Sequence, residues 1–304
     1  MVYLYARSII QLMELRHLRY FIAVAEELHF SRAAERLHMA QPPLSQQIQS
    51  LEQELGVLLL VRTKRSVHLT PAGRAFLGEA RKVIAQVERA VEVAHQAHYG
   101  ILGQLAIGFV GSALAEALPS ILKIFRRRFP QVEVKLHTLV TTEQVQALHN
   151  GQIHVGLLHP PILDTSLELE VIRREPLLVA LPAEHALAPQ ESIGLAQLGE
   201  EDFVMYPRSW NPGTFDQITS LCQAAGFHMR LGQEAVGMQS ITSLVATGFG
   251  VSLVPASSQL LRSAGVVYRP LQGTTPTMDL AVTWLPEKLT PVTQNFLQVA
   301  RETV

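Results

Sequence analysis

The chain has 304 residues, 48% of them hydrophobic, so it is long enough for two domains with buried cores. Its net charge of −1 is unevenly distributed, because residues 1–100 contain 12 Lys/Arg and 9 Asp/Glu whereas residues 101–304 contain 13 and 17. The single cysteine, Cys222, excludes an internal disulfide framework and a cysteine-cluster metal site. Without a long apolar run or a signal-peptide cleavage site, the chain is expected to be cytoplasmic, with no membrane partner.

The N-terminal segment divides into an extension and a first helix. Residues 1–12 precede a more typical domain start at Met13, and we expect them to be either an artefact of an upstream start site or a loose, disordered extension. The spacing of Leu18, Phe21, Ile22 and Ala25 then predicts a helix.

Residues 31–50 have the pattern of a helix-turn-helix. Ser31 is a candidate cap for a short second helix, and Gln41 is a candidate N-cap for a third. Pro42 and Pro43 suit the first turn of that third helix, where missing N–H groups have little effect. Its apolar stripe consists of Leu44, Ile48, Leu51 and Leu55, and Gly56 is a stop signal.

The opposite face of the third helix is rich in amides and hydroxyls. Ser45, Gln46 and Gln49 can pair with base edges in a major groove, where a good bidentate contact contributes about 1–3 kcal/mol of discrimination. On spacing alone, an ordinary solvated helix on a three-helix core remains the alternative.

A basic turn follows between two short alternating segments. The pattern VRTKRSVHLT (residues 61–70) predicts a two-stranded wing carrying Arg62, Lys64 and Arg65. Such cations hold phosphates or enter a minor groove, and they contribute affinity and register. A solvated charge cluster is the alternative.

These segments resemble the LysR-type transcriptional regulators, and the chain is most similar to the branch that controls aromatic-compound catabolism. The resemblance rests on MELRHLRYF (13–21), on residues 30–62 without a gap, and on LTPAGRAFL (69–77), and it continues weakly to the C-terminus. It implies a winged helix-turn-helix domain over residues 13–70 that binds double-stranded DNA. At the position of Gln46 this branch often has Arg, whose charge Gln cannot supply. The candidate DNA-binding residues are Ser31, Arg32, Gln41, Pro42, Pro43, Ser45, Gln46, Gln49, Arg62, Lys64 and Arg65.

Residues 71–98 are predicted to form a long linker helix. Thr70 is a candidate N-cap and Pro71 suits the first helical position. An apolar seam then repeats every three or four residues at Phe76, Ala80, Val83, Val87, Ala90, Ala94 and Ala97, and Leu77, Ile84 and Val91 widen it. About three heptads of this kind predict a dimer, with packing on its own domain as the alternative. A dimer places two reading helices about 34–36 Å apart, which predicts a pseudo-palindromic operator.

Residues 103–304 alternate apolar strands with helices, which predicts an α/β domain with a largely parallel sheet. The resemblance implies an effector-binding domain of two periplasmic-binding-protein-like lobes. Lobe I is expected at about residues 103–173 and 277–304, and lobe II at about 174–276. It further implies a homotetramer and recruitment of RNA polymerase, with activation as the expected output.

Two strand ends in this domain are candidate ligand sites. Ser112, Thr141 and Thr142 stand where a strand ends and a helix begins, and free N–H groups there attract anions. Simple N-capping is the alternative. The resemblance implies that Ser112 and Thr141 contact a small organic or aromatic carboxylate, and that Pro207 and Arg208 line the facing lobe. His159 stands where some aromatic-acid sensors have Arg.

Catalytic signatures are absent from the sequence. It contains no HExxH, GxSxG, P-loop or dinucleotide fingerprint, and its histidines lack metal-ligand spacing. We therefore expect no enzyme activity, no metal and no cofactor. A solute-binding module that does not bind DNA is a third hypothesis, against which the N-terminal reading helix argues.

Overall fold

The computed structural model describes residues 13–63, 66–115, 117–273 and 276–303. The predicted extension at residues 1–12 and the predicted phosphate contacts Lys64 and Arg65 lie outside these ranges. The chain divides between His95 and Gln96 into two compact units, which are considered separately. Within the described ranges, no helix combines the length and apolarity that a bilayer crossing requires.

The N-terminal unit begins with three helices, α1 (Leu15–Glu27), α2 (Phe30–Arg36) and α3 (Gln41–Leu55). Phe21, Leu44, Ile48 and Leu51 are fully buried and form the centre of the shared core. Gly56 ends α3 in the left-handed region (φ +69°), as its stop signal predicts.

Two of the predicted N-caps are wrong. Helix α2 begins one residue before Ser31, and the ring of His29 caps it by accepting the N–H groups of Ser31 and Arg32 at 3.2 and 3.4 Å. Helix α3 begins at Gln41 itself, after Ala40, whose side chain makes no capping bond. Both caps have extended backbones and lie earlier than side-chain preference alone indicates, two residues before Ser31 in α2 and one residue before Gln41 in α3.

Strands β1 (Leu60–Arg62) and β2 (Val67–Leu69) pair antiparallel as the wing. Helix α4 (Pro71–His98) follows, and the Thr70 hydroxyl accepts the Gly73 N–H at 2.8 Å, which confirms the predicted cap. A β-carbon at Gly73 would lie 2.0 Å from the Leu59 carbonyl oxygen, so only glycine allows the helix to approach the strand this closely.

Helix α4 is anchored at its start and exposed beyond it. Phe76 packs against Phe21 with ring centroids 5.3 Å apart, and Ala80 is buried. Further along, Val83 and Val91 of the apolar seam are 44% and 53% exposed. The N-terminal domain therefore covers only the first part of the seam.

The C-terminal unit has nine strands and six α-helices among the residues described. The strands are β3 (Leu102–Phe109), β4 (Gln131–Thr138), β5 (Val155–Leu158), β6 (Glu168–Pro182), β7 (Asp202–Met205), β8 (Arg230–Glu234), β9 (Ser252–Pro255), β10 (Val266–Pro270) and β11 (Thr277–Trp284). The helices are α5 (Gly111–Ala115), α6 (Leu118–Arg128), α7 (Thr141–His149), α8 (Pro212–Ala224), α9 (Met238–Ala246) and α10 (Pro291–Thr303).

The main sheet has the order β10-β6-β11-β5-β3-β4, with β9 also paired to β6. The prediction of a largely parallel sheet is wrong, because β11 is antiparallel to both β5 and β6, and β6 is antiparallel to β9 and β10. Only β4, β3 and β5 form a parallel set within it. The chain returns through β11 from the far end of the sheet, so this strand runs against its neighbours.

Among the described residues, the two largest of the four hydrophobic cores in this unit lie along this sheet. One is built on β3, β5, α6 and α10, and the other on β7, β9 and α8. Strand β6 passes from the first core at Ile172 to the second at Leu177, and β11 returns between Met278 and Leu280. We call the regions around these cores lobe I and lobe II.

Candidate functional site

The exposed side of α3 brings five of the predicted DNA contacts onto one surface, here called the α3 face. Gln41, Pro42, Pro43, Gln46 and Gln49 are all exposed, and Ser45 is half-buried beside them. Leu44, Ile48 and Leu51 hold the opposite side of the helix in the core. The helical period therefore separates the amide-rich side from the apolar side, as the spacing predicts.

Ser31 and Arg32 are exposed at the start of α2. The Arg32 guanidinium donates to the Glu27 carbonyl at 2.6 Å and lies 3.7 Å from the Glu27 carboxylate. Such an exposed pair is weak and readily exchanged for another anion.

Arg62 has a different environment from the one that the sequence suggests. Its guanidinium donates to the Glu52 carboxylate at 2.8 Å and to the Ser45 hydroxyl at 3.3 Å, and it lies 4.9 Å from the centre of the Phe30 ring. Its side chain is only 25% exposed. Arg62 therefore connects the wing to α2 and α3, and its charge is already paired within the domain.

Glu52 is a structural residue of this site that sequence reasoning missed. It is 6% exposed, and its other carboxylate oxygen accepts the N–H groups of Leu59 and Leu60 at 2.8 and 2.9 Å. Three donors thus satisfy one buried carboxylate, which fixes the wing against α3. Its position in the sequence could have indicated this role, because Glu52 follows Leu51 on the apolar side of α3, where a carboxylate needs a partner.

Between the two lobes lies a cavity of about 430 Å³, here called the cleft cavity. Its lining is mainly apolar and includes Val110, Leu139, Val140, Trp210, Val236, Met238, Ile241 and Met278. Its polar side chains are Ser112, Thr138, Thr141, Glu143, His159, Tyr206 and Asn211. A small, largely apolar molecule with a few polar groups matches such a lining.

Ser112 and His159 form a hydrogen-bonded pair in the wall of the cleft cavity. The Ser112 hydroxyl lies 2.7 Å from His159 Nε2, and His159 Nδ1 lies 2.8 Å from the Asp279 carbonyl oxygen. Because a carbonyl only accepts, Nδ1 carries the proton, and Nε2 of the neutral ring accepts from Ser112. Burial lowers the pKa of His159, against the opposing effects of the Asp279 carbonyl and of the charges of Glu175 and Asp279.

Thr141 and Tyr206 offer further hydroxyls to the same cavity. Thr141 is 4% exposed, and its buried hydroxyl has no hydrogen-bond partner in the structure. It does not cap α7, because the chain enters that helix through Val140. Burial raises the pKa of Tyr206, so its hydroxyl keeps its proton at physiological pH. A buried hydroxyl without a partner is unfavourable, so a ligand atom near Thr141 would be stabilised.

Three predicted effector contacts do not line the cleft cavity. Thr142 donates across the cleft to the carbonyls of Ser209 and Trp210 at 3.1 and 3.4 Å, so it connects the lobes. Pro207 and Arg208 also lie outside the lining. The Arg208 guanidinium is exposed and makes two hydrogen bonds, at 2.7 and 2.6 Å, to Asp216 on the neighbouring helix α8.

Asn211 positions the wall from lobe II. Its amide donates to the His159 carbonyl at 3.0 Å, and its oxygen caps α8 by accepting the Thr214 N–H at 3.1 Å. Sequence reasoning missed this residue, although Asn followed by Pro212 is a helix-start signature. Asn211 therefore fixes the main chain at His159 relative to lobe II.

Among the lining residues described, none is Lys or Arg. His159 is consequently the side chain of this lining that can become cationic near neutral pH. No group of three or more His, Cys, Asp or Glu within the described parts of the chain could hold a metal ion.

Comparison with known proteins assigns both units. Residues 15–74 match the bacterial regulatory helix-turn-helix protein family of the lysR type, and residues 100–304 match the LysR substrate binding domain. The regulator AlsR of Bacillus subtilis is 40% identical over 288 residues, covering 95% of each chain. The Hca operon transcriptional activator HcaR of Escherichia coli is 37% identical over 294 residues, covering 95% of this chain and 98% of its own.

Solved structures that cover 95–96% of the chain agree with this assignment. The crystal structure of the LysR family regulator CbnR superposes with a TM-score of 0.83 at 32% identity, covering 95% of this chain and 100% of that one. CbnR in complex with its target DNA gives 0.81 at 31% identity, covering 96% and 99%. The chain therefore belongs to the LysR family, whose members are DNA-binding transcriptional regulators and not enzymes.

Proposed function

We propose that this regulator is an activator that binds a pseudo-palindromic operator and responds to a small organic or aromatic acid in the cleft cavity. The observation that carries the DNA half of the proposal is the α3 face, where exposed amides stand on a helix whose other side is fully buried. The crystal structure of CbnR with its target DNA supports the same use of this domain.

We propose separate roles for the predicted DNA contacts. Gln41, Ser45, Gln46 and Gln49 read base edges, and Pro42 and Pro43 bring the helix start close to the groove. Ser31, Arg32, Lys64 and Arg65 contact the backbone. Arg62 acts mainly by holding the wing in place, since Glu52 and Ser45 already bind its guanidinium.

The proposed assembly is a dimer through α4 and a tetramer through the C-terminal domains. Exposed Val83 and Val91 continue the apolar seam beyond the part that the N-terminal domain covers. A second α4 would bury this stripe and place two reading helices one turn of duplex apart. RNA polymerase is the proposed downstream partner, and the cytoplasm the proposed location.

The proposed effector is a small carboxylate held by Ser112 and Thr141. Both hydroxyls line the cleft cavity, and that of Thr141 has no partner of its own. Binding can shift the balance between arrangements of the assembly only through a difference in affinity for them. Because the two lobes both contribute to the wall, a ligand there is well placed to make such a difference.

A gel-shift titration on the regulator's own promoter tests the proposal. The purified chain should retard this DNA, with affinity falling steeply as the salt concentration rises. Arg65→Ala should weaken binding to all sequences and flatten the salt dependence, whereas Gln41→Ala should lower operator preference more than nonspecific binding. A solute-binding module that ignores DNA would bind ligand and leave the duplex free, which would overturn the proposal.

Ser112→Ala tests the effector half separately. The variant should bind operator DNA as the wild type does and should respond less to an effector acid in a transcription assay. A normal response would show that the pocket assignment is wrong.

A further inference from the structure

We propose that the effector acid binds together with one proton, which is taken from solvent and held by His159. This inference rests on the proposed effector function of the cleft cavity and specifies how that cavity accepts a negative charge.

The Ser112 hydroxyl donates its proton in a hydrogen bond to His159 and has none left for a carboxylate in the cavity. Nδ1 of His159 donates to the Asp279 carbonyl, so Nε2 accepts the Ser112 proton across 2.7 Å. Ser112 then presents only oxygen lone pairs to the cavity. A carboxylate oxygen placed there would meet a second acceptor and be repelled.

Protonation of His159 reverses this hydrogen bond. Nε2–H then donates to the Ser112 oxygen, and the released Ser112 proton can be donated to the ligand carboxylate. The Nδ1–H bond to Asp279 persists in both states, so the ring keeps its orientation and only one hydroxyl rotates. No covalent bond of the ligand changes, and the sum of ligand and imidazole charges is zero.

The composition of the wall makes this proton necessary. The described lining has no Lys or Arg, its apolar surface is large, and an unpaired carboxylate in such surroundings is strongly disfavoured. Glu143 also lines the cavity and adds a negative charge, although one of its oxygens accepts the Val140 N–H at 3.1 Å. Among the described side chains of the wall, an acid without a proton would therefore meet a negative charge and no permanent positive one.

The other charged groups around His159 favour the protonated ring. Glu175 from β6 and Asp279 from β11 both act to raise its pKa against the effect of burial. Their own charges are partly balanced, since Arg173 lies 2.9 Å from Glu175 and Arg174 lies 3.7 Å from Asp279. Burial outweighs these charges and lowers the pKa of His159, so the ring is neutral without a ligand. A bound anion supplies the remaining interaction that retains the proton.

Isothermal titration calorimetry on the full-length protein tests this inference. The probes are monocarboxylates from acetate to salicylate, each beside its uncharged carboxamide, in phosphate and in Tris buffer at pH 7.5. The dependence of the heat on buffer ionisation counts protons taken up. We expect uptake of about one proton per bound carboxylate and none per bound carboxamide. The carboxylate affinity should therefore fall up to tenfold for each unit by which the pH rises.

His159→Gln locates the proton. In this variant, uptake should disappear and carboxylate affinity at pH 6 should fall at least tenfold, while carboxamide affinity is retained. Glu143→Gln is the matched control, and it should keep the uptake. The wild-type proton count stands as a test even if His159→Gln does not fold.

Each contrary result has a separate meaning. Carboxylates that bind without proton uptake would overturn the inference and leave the proposed function intact. Uptake that persists in His159→Gln would assign the proton to Glu143 or the ligand and overturn the role of His159. If no acid binds at any pH, the proposed effector class fails and the inference with it.

Discussion

The α3 face and the cleft cavity each depend on a buried ionisable side chain, Glu52 behind the α3 face and His159 in the cavity wall, but the two have different partners. Glu52 has a permanent cationic partner in Arg62 and two backbone N–H groups. His159 has only uncharged direct partners, the Ser112 hydroxyl and the Asp279 carbonyl. The first arrangement already contains the opposite charge, whereas the second leaves a charge to be added. A fixed ion pair suits a surface that must keep its shape to read DNA, and a chargeable histidine suits a site that must respond to a ligand.

Removing the Glu52 carboxylate should have the largest effect, and it should lower the stability of the N-terminal domain. Glu52→Ala leaves Arg62 and two N–H groups without their acceptor, and loss of one partner of a buried ion pair costs about 3–5 kcal/mol. Because Arg62 is partly exposed, we expect the lower end of that range in urea unfolding of the N-terminal domain followed in the full chain. Glu35→Ala, at an exposed position of α2, is the control. Equal stability of both variants would mean that Glu52 does not hold the wing.

The next largest effect should come from the reading surface itself. Gln41→Ala removes one candidate base contact, which is worth about 1–3 kcal/mol of discrimination, so the ratio of operator to nonspecific affinity should fall about 5- to 150-fold. Gln53→Ala, exposed on the last turn of the same helix, should leave this ratio unchanged. The measurement is competition binding at fixed salt. If Gln53→Ala lowers the ratio of operator to nonspecific affinity as much as Gln41→Ala does, base reading is not confined to the N-terminal end of α3.

A smaller effect separates two adjacent threonines. Thr141→Val removes the cavity hydroxyl without a partner, and loss of one hydrogen bond to a ligand costs about 0.5–1.5 kcal/mol, so effector affinity should weaken roughly 2- to 13-fold. Thr142→Val is the matched control, because its hydroxyl bonds to the Ser209 and Trp210 carbonyls and not to the cavity. It should change the stability of the lobe contact more than the affinity. If calorimetry shows that Thr142→Val loses more effector affinity than Thr141→Val, the ligand lies at the mouth of the cleft.

The mildest expected effect concerns pH and the unliganded protein. Burial lowers the folded-state pKa of both His154 and His159 below the ordinary 6.5, so their contribution to stability is complete above pH 6.5. It is lost as the pH falls from 6.5 through the folded-state values, because the unfolded chain binds protons that the folded chain refuses. Melting temperature should therefore decline below pH 6.5, and a bound carboxylate should reduce the decline.

Variants identify the histidine responsible. His159→Gln should flatten part of that decline, whereas His228→Gln, at an exposed position, should leave it as it is. An unchanged decline in His159→Gln would indicate that His154, whose Nδ1 accepts the Ala106 N–H at 3.0 Å, accounts for it alone.

The sequence by itself determined the elements whose residues follow one another on a single helix or hairpin. Leu44, Ile48 and Leu51 define the buried side of α3, and the 3.6-residue period then places Gln46 and Gln49 opposite. The Thr70 cap, the Gly56 stop and the paired wing strands follow from equally local preferences. Local geometry is the same in any fold, so these features could be predicted without knowledge of the rest of the chain.

Only the tertiary structure decided which side chains meet in the cleft cavity. Ser112, His159 and Asp279 come from three separate segments, and Tyr206 and Asn211 come from the other lobe. Their distances depend on how β6 and β11 carry the chain between lobes, and no spacing along the sequence encodes that. For the same reason Thr142 and Arg208 matched the expected pattern yet point to Ser209 and Asp216, since a neighbouring partner within reach satisfies them first.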